Sequence, residues 1–547
     1  MSMLAAYERR PLRVGLDDLK APLLLLIVSI SGFASSRHSM THLGRASELW
    51  SFVAVLAAFV AALGFISIRY ADISAPLRIT MRGIGIIVFI QVLFDAAGPF
   101  PGPSNILFGD SGPVLYFRYA AILGVVAGTA ALWRPSFLVP LFLYYVGWRE
   151  LIGTLSGIAV SDTDYLGMLD VGYFSTVGML IVISVTSPWA MDRFPLLRSL
   201  LPAADGVAGM RNRAFGLIWA CAVGAHLGSY LWSGAMKIRV GGDDPLTWML
   251  QNPTQTAIVL GLERGDNPLA LWPGLLQSVW DGIIGGQPYL NAFVLGLQFL
   301  APLAAISAPV LSAFCLLFDF FHIGVYFTLG ALFFFWIAVN LVIVAAAASL
   351  PRGGFTPAMK IVMALTAVFG HYVFYTNYLG WLDSGKLVSP QFYAVTGDNR
   401  EVAVPSNYFG IYSYTIAQAA MYVPDDHFKF RIGGNSRDVK SWQDARTCDP
   451  QTVAHQDSGV SLGAVKGMVL DTDRLMRQHP AVKSENLYYF YPHHMLPNPF
   501  VFTDFNNLRI DDIVAYDYVV DSVCLSLKDG RLQRDVHKHS SFRIDLR

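Results

Sequence analysis

AMKIVMALTAVFGHYVFYTNYLGW, residues 358 to 381, divides the chain in two. Before it, apolar runs long enough to cross a bilayer recur; after it, almost none do. With 54% hydrophobic and only 14% charged residues in 547, the chain is too apolar for a water-soluble protein of this size. A membrane-crossing helix needs about 20 mostly apolar residues. Runs near 21–36, 49–68, 83–97, 114–132, 136–156, 166–187, 214–233, 289–306, 308–330, 331–349 and 358–377 meet that description, about eleven spans in all.

The sequence therefore predicts an α-helical polytopic membrane protein. A cytoplasmic segment (1–20) leads a transmembrane helical domain (21–377), and a mostly-β soluble domain (378–547) follows on the outer face. Orientation comes from Lys and Arg, which are retained in cytoplasmic loops. Arg9, Arg10, Arg13 and Lys20 lead the first span; Arg69, Arg78 and Arg82, then Arg193, Arg198, Arg211 and Arg213, then Arg352 and Lys360 fill later connections. The loops 99–113 and 157–164 contain neither residue and belong outside. An odd number of spans then carries the C-terminal domain outside. Glu8, Asp17 and Asp18 ahead of the first run argue for a retained span rather than a cleaved signal.

Residues 240–288, rich in Trp, Gly and Pro, read as outer interfacial helices or a re-entrant cap, with Trp248, Trp272 and Trp280 as anchors. In the outer domain, 425–434, 486–492 and 520–536 read as strands, the last a hairpin turning at Lys528-Asp529-Gly530. GAVKGMVLDTDRLMRQHP (463–480) has helical spacing and stops at proline. Of four cysteines, Cys221 and Cys315 lie within spans as packing residues. Cys448 and Cys524 share a compartment that permits a disulfide, and their spacing leaves pairing open. Zero formal net charge and the lack of a basic block give no pointer to nucleic acid; the bilayer is the principal partner. No GxxxxGK[ST] occurs, which argues against nucleotide-driven transport by this chain alone.

Ionisable residues at membrane depth are costly and concentrate where function is. They are Asp95, Arg149, Glu150, Asp170, His226, Lys237, Asp319, His322 and His371. Arg149 and Glu150 read as a structural pair with other helices. HLGSYLWSGAMKI (226–238) ends a span with the small residues Ser233 and Gly234, then places Lys237 beside Trp232. His226 and Lys237 are three turns apart, about 16 Å along a continuous helix, and cannot touch. A desolvated lysine can act as a base; the plainer alternative is a lysine snorkelling from a helix end. In LLFDFFHIGVYFTLGALFFFWIAVNLV (316–342), Asp319 and His322 share a helix face, either handling protons or fixing packing. The pattern offers too few ligands for a metal, and the adjacent His493 and His494 would face opposite sides of a strand.

The order of four stretches resembles the vitamin K-dependent γ-carboxylase-like membrane proteins, which share a horizontally transferred transmembrane domain. They are TDYLGMLDVGYF (163–174), SYLWSGAMKI (229–238), FDFFHIGVYFTLGALFFF (318–335), and HYVFYTNYLGW followed by NYFGIYSYTIAQ (371–381 and 407–418). The resemblance covers roughly 140–420. It implies a bacterial inner-membrane enzyme with its N-terminus in the cytoplasm, using a reduced isoprenoid quinone and oxygen to generate a strong base that acts on an extracytoplasmic substrate, peptide or protein. Lys237 would be the base, His322 and His371 would move protons or hold quinone oxygens, and His226, Asp319, Asp164, Asp170 and Trp232 would complete substrate or proton-relay positions. No metal is implied. The chain departs from the carboxylases in carrying Thr163 and Asp164 where they have a histidine before the tyrosine-leucine pair, and its outer domain is much smaller. The alternative is a non-catalytic membrane protein that binds a lipid, a quinone or a partner complex.

Overall fold

The computed structural model describes residues 16–46, 48–97, 113–155, 163–194, 204–351, 354–417, 421–424, 460–478 and 494–546, with positions 427, 439, 442, 443 and 448. The helical part runs through α1 (Leu16–Ala46), α2 (Glu48–Gly64), α3 (Ala75–Ala97), α4 (Pro113–Ala131), α5 (Leu138–Leu155), α6 (Thr163–Val185) and α7 (Ala204–Arg239). Two short helices follow, α8 (Thr247–Gln251) and α9 (Thr256–Glu263), and then α10 (Pro273–Phe299), α11 (Ala308–Leu329), α12 (Phe334–Ala348) and α13 (Pro357–Phe369). Among the described residues, five helices are long and apolar enough to cross a membrane: Leu19–His42, Ala75–Leu93, Gly167–Val185, Gly206–Arg239 and Ala308–Leu329. Shorter apolar helices cover Phe52–Gly64, Tyr119–Ala131, Pro135–Gly147 and Phe334–Ala348. These point to a membrane protein.

Local chemistry sets several ends. Ser307 caps α11, its hydroxyl accepting the Val310 N–H, and Thr356 does the same for α13 through Met359; each is followed by proline in the first turn, where no N–H is needed. Several boundaries differ from expectation. The first helix starts at Leu16 and ends at Ala46, well beyond 21–36, α3 starts at Ala75 rather than 83, and α7 extends past 214–233 at both ends. The last expected span, 358–377, is helix only to Phe369 (α13), where a short turn at Gly370–Tyr372 begins the segment leading to the sheet. Helix α10 begins at Pro273 and continues through Pro288, so the second half of the expected cap is helix. A proline removes one hydrogen bond without stopping a helix whose neighbouring residues still pair.

Buried α7 is the axis of this unit, packing against α13, α6 and α1. An added Cβ at Gly224 would lie 2.5 Å from the Met363 carbonyl oxygen and at Gly228 3.0 Å from that of Ala367. Glycines four residues apart thus bring α7 and α13 into backbone contact, as small residues do between membrane helices.

The C-terminal part holds an antiparallel sheet in the order β2-β1-β3-β4: β1 (Lys386–Thr396), β2 (Glu401–Val404), β3 (Ile513–Lys528) and β4 (Arg531–Asp545). The expected hairpin is present, with Lys528 opposite Arg531 and both Asp529 and Gly530 at positive φ, as a two-residue turn requires. The expected helix runs from Leu462 to Gln478 (α14) and lies against the sheet, where the Tyr516 hydroxyl donates to Asp473 at 3.2 Å. Phe392, Tyr518 and Phe542 stack across β1, β3 and β4 on the same face. Cys448 and Cys524 form a disulfide. Cys221 and Cys315 are free and buried, as packing residues should be. The expected strands 486–492 and, apart from His427, 425–434 lie outside the described residues, as does most of both lysine-free loops.

Sheet and helices are joined by charge. Glu263 at the end of α9 accepts from Ser389 and Gln391 of β1 and pairs with Arg534 of β4 at 2.9 Å, and Arg534 also pairs with Asp521 of β3 at 2.8 Å. The hairpin tip rests on α10, the Gly530 N–H donating to Gln277 at 2.8 Å.

Candidate functional site

Helix α7 carries two polar groups along its length. Toward the middle, His226 and Tyr230 face α11 and α12. His226 Nε2 lies 2.8 Å from Asn340 Oδ1, a pure acceptor, so Nε2 carries the proton. Asn340 Nδ2 donates to the Tyr230 hydroxyl at 3.1 Å and to Asp319 Oδ1 at 2.7 Å. The Tyr230 hydroxyl, 3.1 Å from His322 Nε2, then donates to it, which places the His322 proton on Nδ1. Asp319 and His322 therefore communicate through Asn340 and Tyr230, two side chains that sequence reasoning passed over, rather than by direct contact. The surroundings are aromatic: Tyr230 stacks on Phe318 with centroids 3.5 Å apart, and His226 on Trp336 at 4.9 Å.

Three atoms of this buried cluster have no protein partner among the described residues: His226 Nδ1, His322 Nδ1 and Asp319 Oδ2. By the tautomers above they are an acceptor, a donor and an acceptor. Buried polar atoms are normally satisfied, and exceptions mark strain or a ligand position.

At the C-terminal end of α7, Ser229, Ser233 and Lys237 project at i, i+4 and i+8 onto the segment that leaves α13 for the sheet. Ser229 Oγ accepts the Asn377 N–H (3.4 Å); Ser233 Oγ donates to the Asn377 carbonyl (3.0 Å) and accepts the Leu379 N–H (3.2 Å); Lys237 Nζ donates to the Leu379 carbonyl (2.6 Å). Gly380 makes the approach possible, since a Cβ there would meet the Met236 and Lys237 backbone at 2.5–2.7 Å. Lys237 is 8% exposed and its Nζ sits 5.3 Å from the centre of the Trp248 ring, so the expected aromatic neighbour Trp232 is replaced by Trp248 from α8. No carboxylate lies within ion-pair distance of Lys237 among the described residues; the nearest electrostatic partner is Asp383. The Asp383 oxygens accept from Asn252 Nδ2 and Trp381 Nε1, both at 2.9 Å. Burial pushes the Asp383 carboxyl up to about 6, while those two bonds and the Lys237 charge pull the other way.

The remaining predicted positions are placed elsewhere. His371 packs on Trp232, ring centroids 4.1 Å apart, and both engage the Val368 carbonyl. Asp170 is a structural clamp, pairing with Arg37 of α1 at 3.2 Å and accepting the Tyr375 N–H. Lys237, His322 and His371 thus occupy three separate settings on two sides of α7 and its strap, with no contact between any two. Asp164 lies in α6, but its side chain is outside the described residues, as are those of Asp95, Arg149 and Glu150. His493 is also outside them, while His494 is buried and stacked on Phe333 at 4.8 Å. Among the described residues no three His, Cys, Asp or Glu side chains group as metal ligands.

No known protein family, curated protein or solved structure matches the chain.

Proposed function

We propose that the protein is an inner-membrane enzyme of the γ-carboxylase-like kind, with about eleven spans, its N-terminus in the cytoplasm and its sheet outside. It uses a reduced isoprenoid quinone and oxygen to generate a strong base for an extracytoplasmic acceptor. The Lys and Arg distribution supports the orientation. The observation that carries the chemistry is the setting of Lys237: a buried amine with one carbonyl partner and, among the described residues, no ion pair. A neutral amine can donate to Leu379 and still offer its lone pair to a hydroxyl proton, which an amine locked in a salt bridge cannot.

The cluster, centred two to three turns below and out of reach of Lys237 Nζ, fits the head of such a ligand as a binding position of its own. His322 Nδ1–H could donate to an oxygen, and His226 Nδ1 and Asp319 Oδ2 could accept from a hydroxyl, between the aromatic faces of Trp336 and Phe333. When bound, the quinol supplies reducing power toward oxygen; the cluster would orient a head and exclude water, and Lys237 would take a proton only from a hydroxyl bound at its own end of α7. One observation favours the second reading, a protein that binds a quinone or lipid without turnover: Lys237 also completes the Ser229–Ser233 ladder, a structural task. Binding is tested by titrating a fluorescent quinone analogue into nanodiscs containing wild type or Asn340→Leu. Tight binding that Asn340→Leu abolishes supports the cluster as the head site; equal affinity in both variants removes it.

A further inference from the structure

The turn at residues 498–501 presents an exposed aromatic side chain on a rigid mount. Residues 494–495 meet the loop joining α11 and α12, where the Leu332 N–H donates to the His494 carbonyl at 2.7 Å and Ala331 pairs with Met495 as an antiparallel bridge. Asn498 then fixes the turn. Its N–H donates to the Gly265 carbonyl (2.8 Å) and its Nδ2 to that of Asn267 (3.2 Å), while its Oδ1 accepts the Phe500 N–H (3.1 Å) and its carbonyl the Val501 N–H (3.0 Å). Residues 264–267 are themselves bound to the end of α11, Arg264 donating to the Leu329 carbonyl at 2.6 Å and Asn267 to that of Thr328 at 2.7 Å. The height of the turn relative to that helix end is therefore set by hydrogen bonds on both sides.

From this mount Phe502 turns inward onto Gly265, whereas Phe500 and Val501 point away, 70% and 42% exposed. Leu271 and Trp272, a few residues beyond the same Gly265–Asn267 clamp, are also exposed. Below, α11 shows Leu316, Phe320, Ile323 and Phe327 outward at i, i+4, i+7 and i+11, the stripe a span turns to lipid. Trp272 near the end of such a stripe matches the Trp and Tyr belt of the bilayer interface, and Phe500 and Val501 beside it are apolar side chains that lipid can receive.

We propose that the Phe500–Val501 turn is a membrane-contact wedge, seated in the headgroup and upper acyl layer of the leaflet that the C-terminal end of α11 reaches. The occupant is lipid because the turn is tied to the end of a span whose outward stripe already faces lipid. The sheet unit is then held by the wedge as well as by the strap bonded to α7, close to the surface from which a lipophilic substrate would arrive. This depends on α11 crossing the bilayer and not on the enzymatic reading.

The test uses the full chain in phosphatidylcholine nanodiscs, with a nitroxide on Phe500→Cys. The native cysteines are buried or paired and do not compete. Oxygen and nickel-chelate accessibilities are compared with Phe320→Cys on the α11 stripe and Arg400→Cys in the exposed β1–β2 turn. The wedge predicts oxygen accessibility above and nickel accessibility below the Arg400 values, between those and the values at mid-span Phe320. Val501→Cys, which keeps the Phe500 ring, is expected to read the same. Accessibilities like those at Arg400 in both variants would overturn the proposal, and so would shielding from both reagents, the mark of a covering protein chain.

Discussion

Lys237 Nζ stands 2.6 Å from the carbonyl oxygen of Leu379. The bond ties the end of α7 to the strap that becomes β1, so the one buried amine of the proposed chemistry also joins the helices to the sheet. Chemistry at Nζ and the position of residues 377–383 are therefore linked.

The strap gives the first prediction. Gly380→Val places side-chain atoms against the Met236 and Lys237 backbone and is expected to cost about 2–3 kcal/mol, as overpacking does. Ser233→Ala, which removes two bonds to the strap, is expected to cost about 1–2 kcal/mol. Thermal unfolding in nanodiscs measures both, and hydrogen exchange at the Leu379 amide is expected to quicken in each.

Asn340 is the hub of the buried cluster. Asn340→Leu removes one hydrogen-bond partner from each of His226, Tyr230 and Asp319, and a loss of about 2–4 kcal/mol is expected. A cost below about 0.5 kcal/mol would mean that the cluster is satisfied by other means.

His494 supplies a pH dependence. Burial, with the Arg264 charge adding to it, pushes its imidazole down to about 3 from 6.5. Between those values the unfolded chain binds a proton that the folded chain refuses. The stabilising contribution is complete above pH 6.5 and is lost as the pH falls toward 3. Melting temperatures of wild type and His494→Phe are expected to diverge in that window, the wild type falling more steeply; parallel curves would contradict it.

The disulfide closes a loop with a sequence separation of 76 between Cys448 and Cys524. Loop-closure entropy assigns such a link about 4 kcal/mol. Cys448→Ser is expected to lower the melting temperature of the sheet unit and to remove its sensitivity to reductant.

Much of this was legible in advance. Long apolar runs announced the helices, Asp529-Gly530 announced the hairpin, and the spacing in 463–480 announced α14, because each signal is local. The length of α10 was hidden by Pro288, which reads as a stop unless packing sustains the helix past it. Asn340 and Tyr230 were hidden differently: a single amide in an apolar run and one tyrosine among many aromatics carry no pattern, and only the crossing of α7, α11 and α12 brings them to His226 and His322. Ser229 and Ser233 were visible as small residues, but their bonding to the strap depends on where Asn377 and Leu379 return. Asp383 lies past the last span, where membrane depth gave no reason to single it out.

The most direct test is quinol-dependent oxygen uptake by the purified protein in nanodiscs, comparing wild type with Lys237→Gln. Glutamine has no basic nitrogen and is one atom shorter, and the Ser229 and Ser233 bonds to residues 377–379 remain, so the strap stays tied while the base is lost. Uptake by wild type that falls at least 100-fold in Lys237→Gln, with unchanged melting, is the predicted result; on a logarithmic scale that is about 2.7 kcal/mol of lost transition-state stabilisation. Absence of uptake with any isoprenoid quinol, or equal uptake by both proteins, would contradict the enzymatic account and leave Lys237 as the tie between helix and strap.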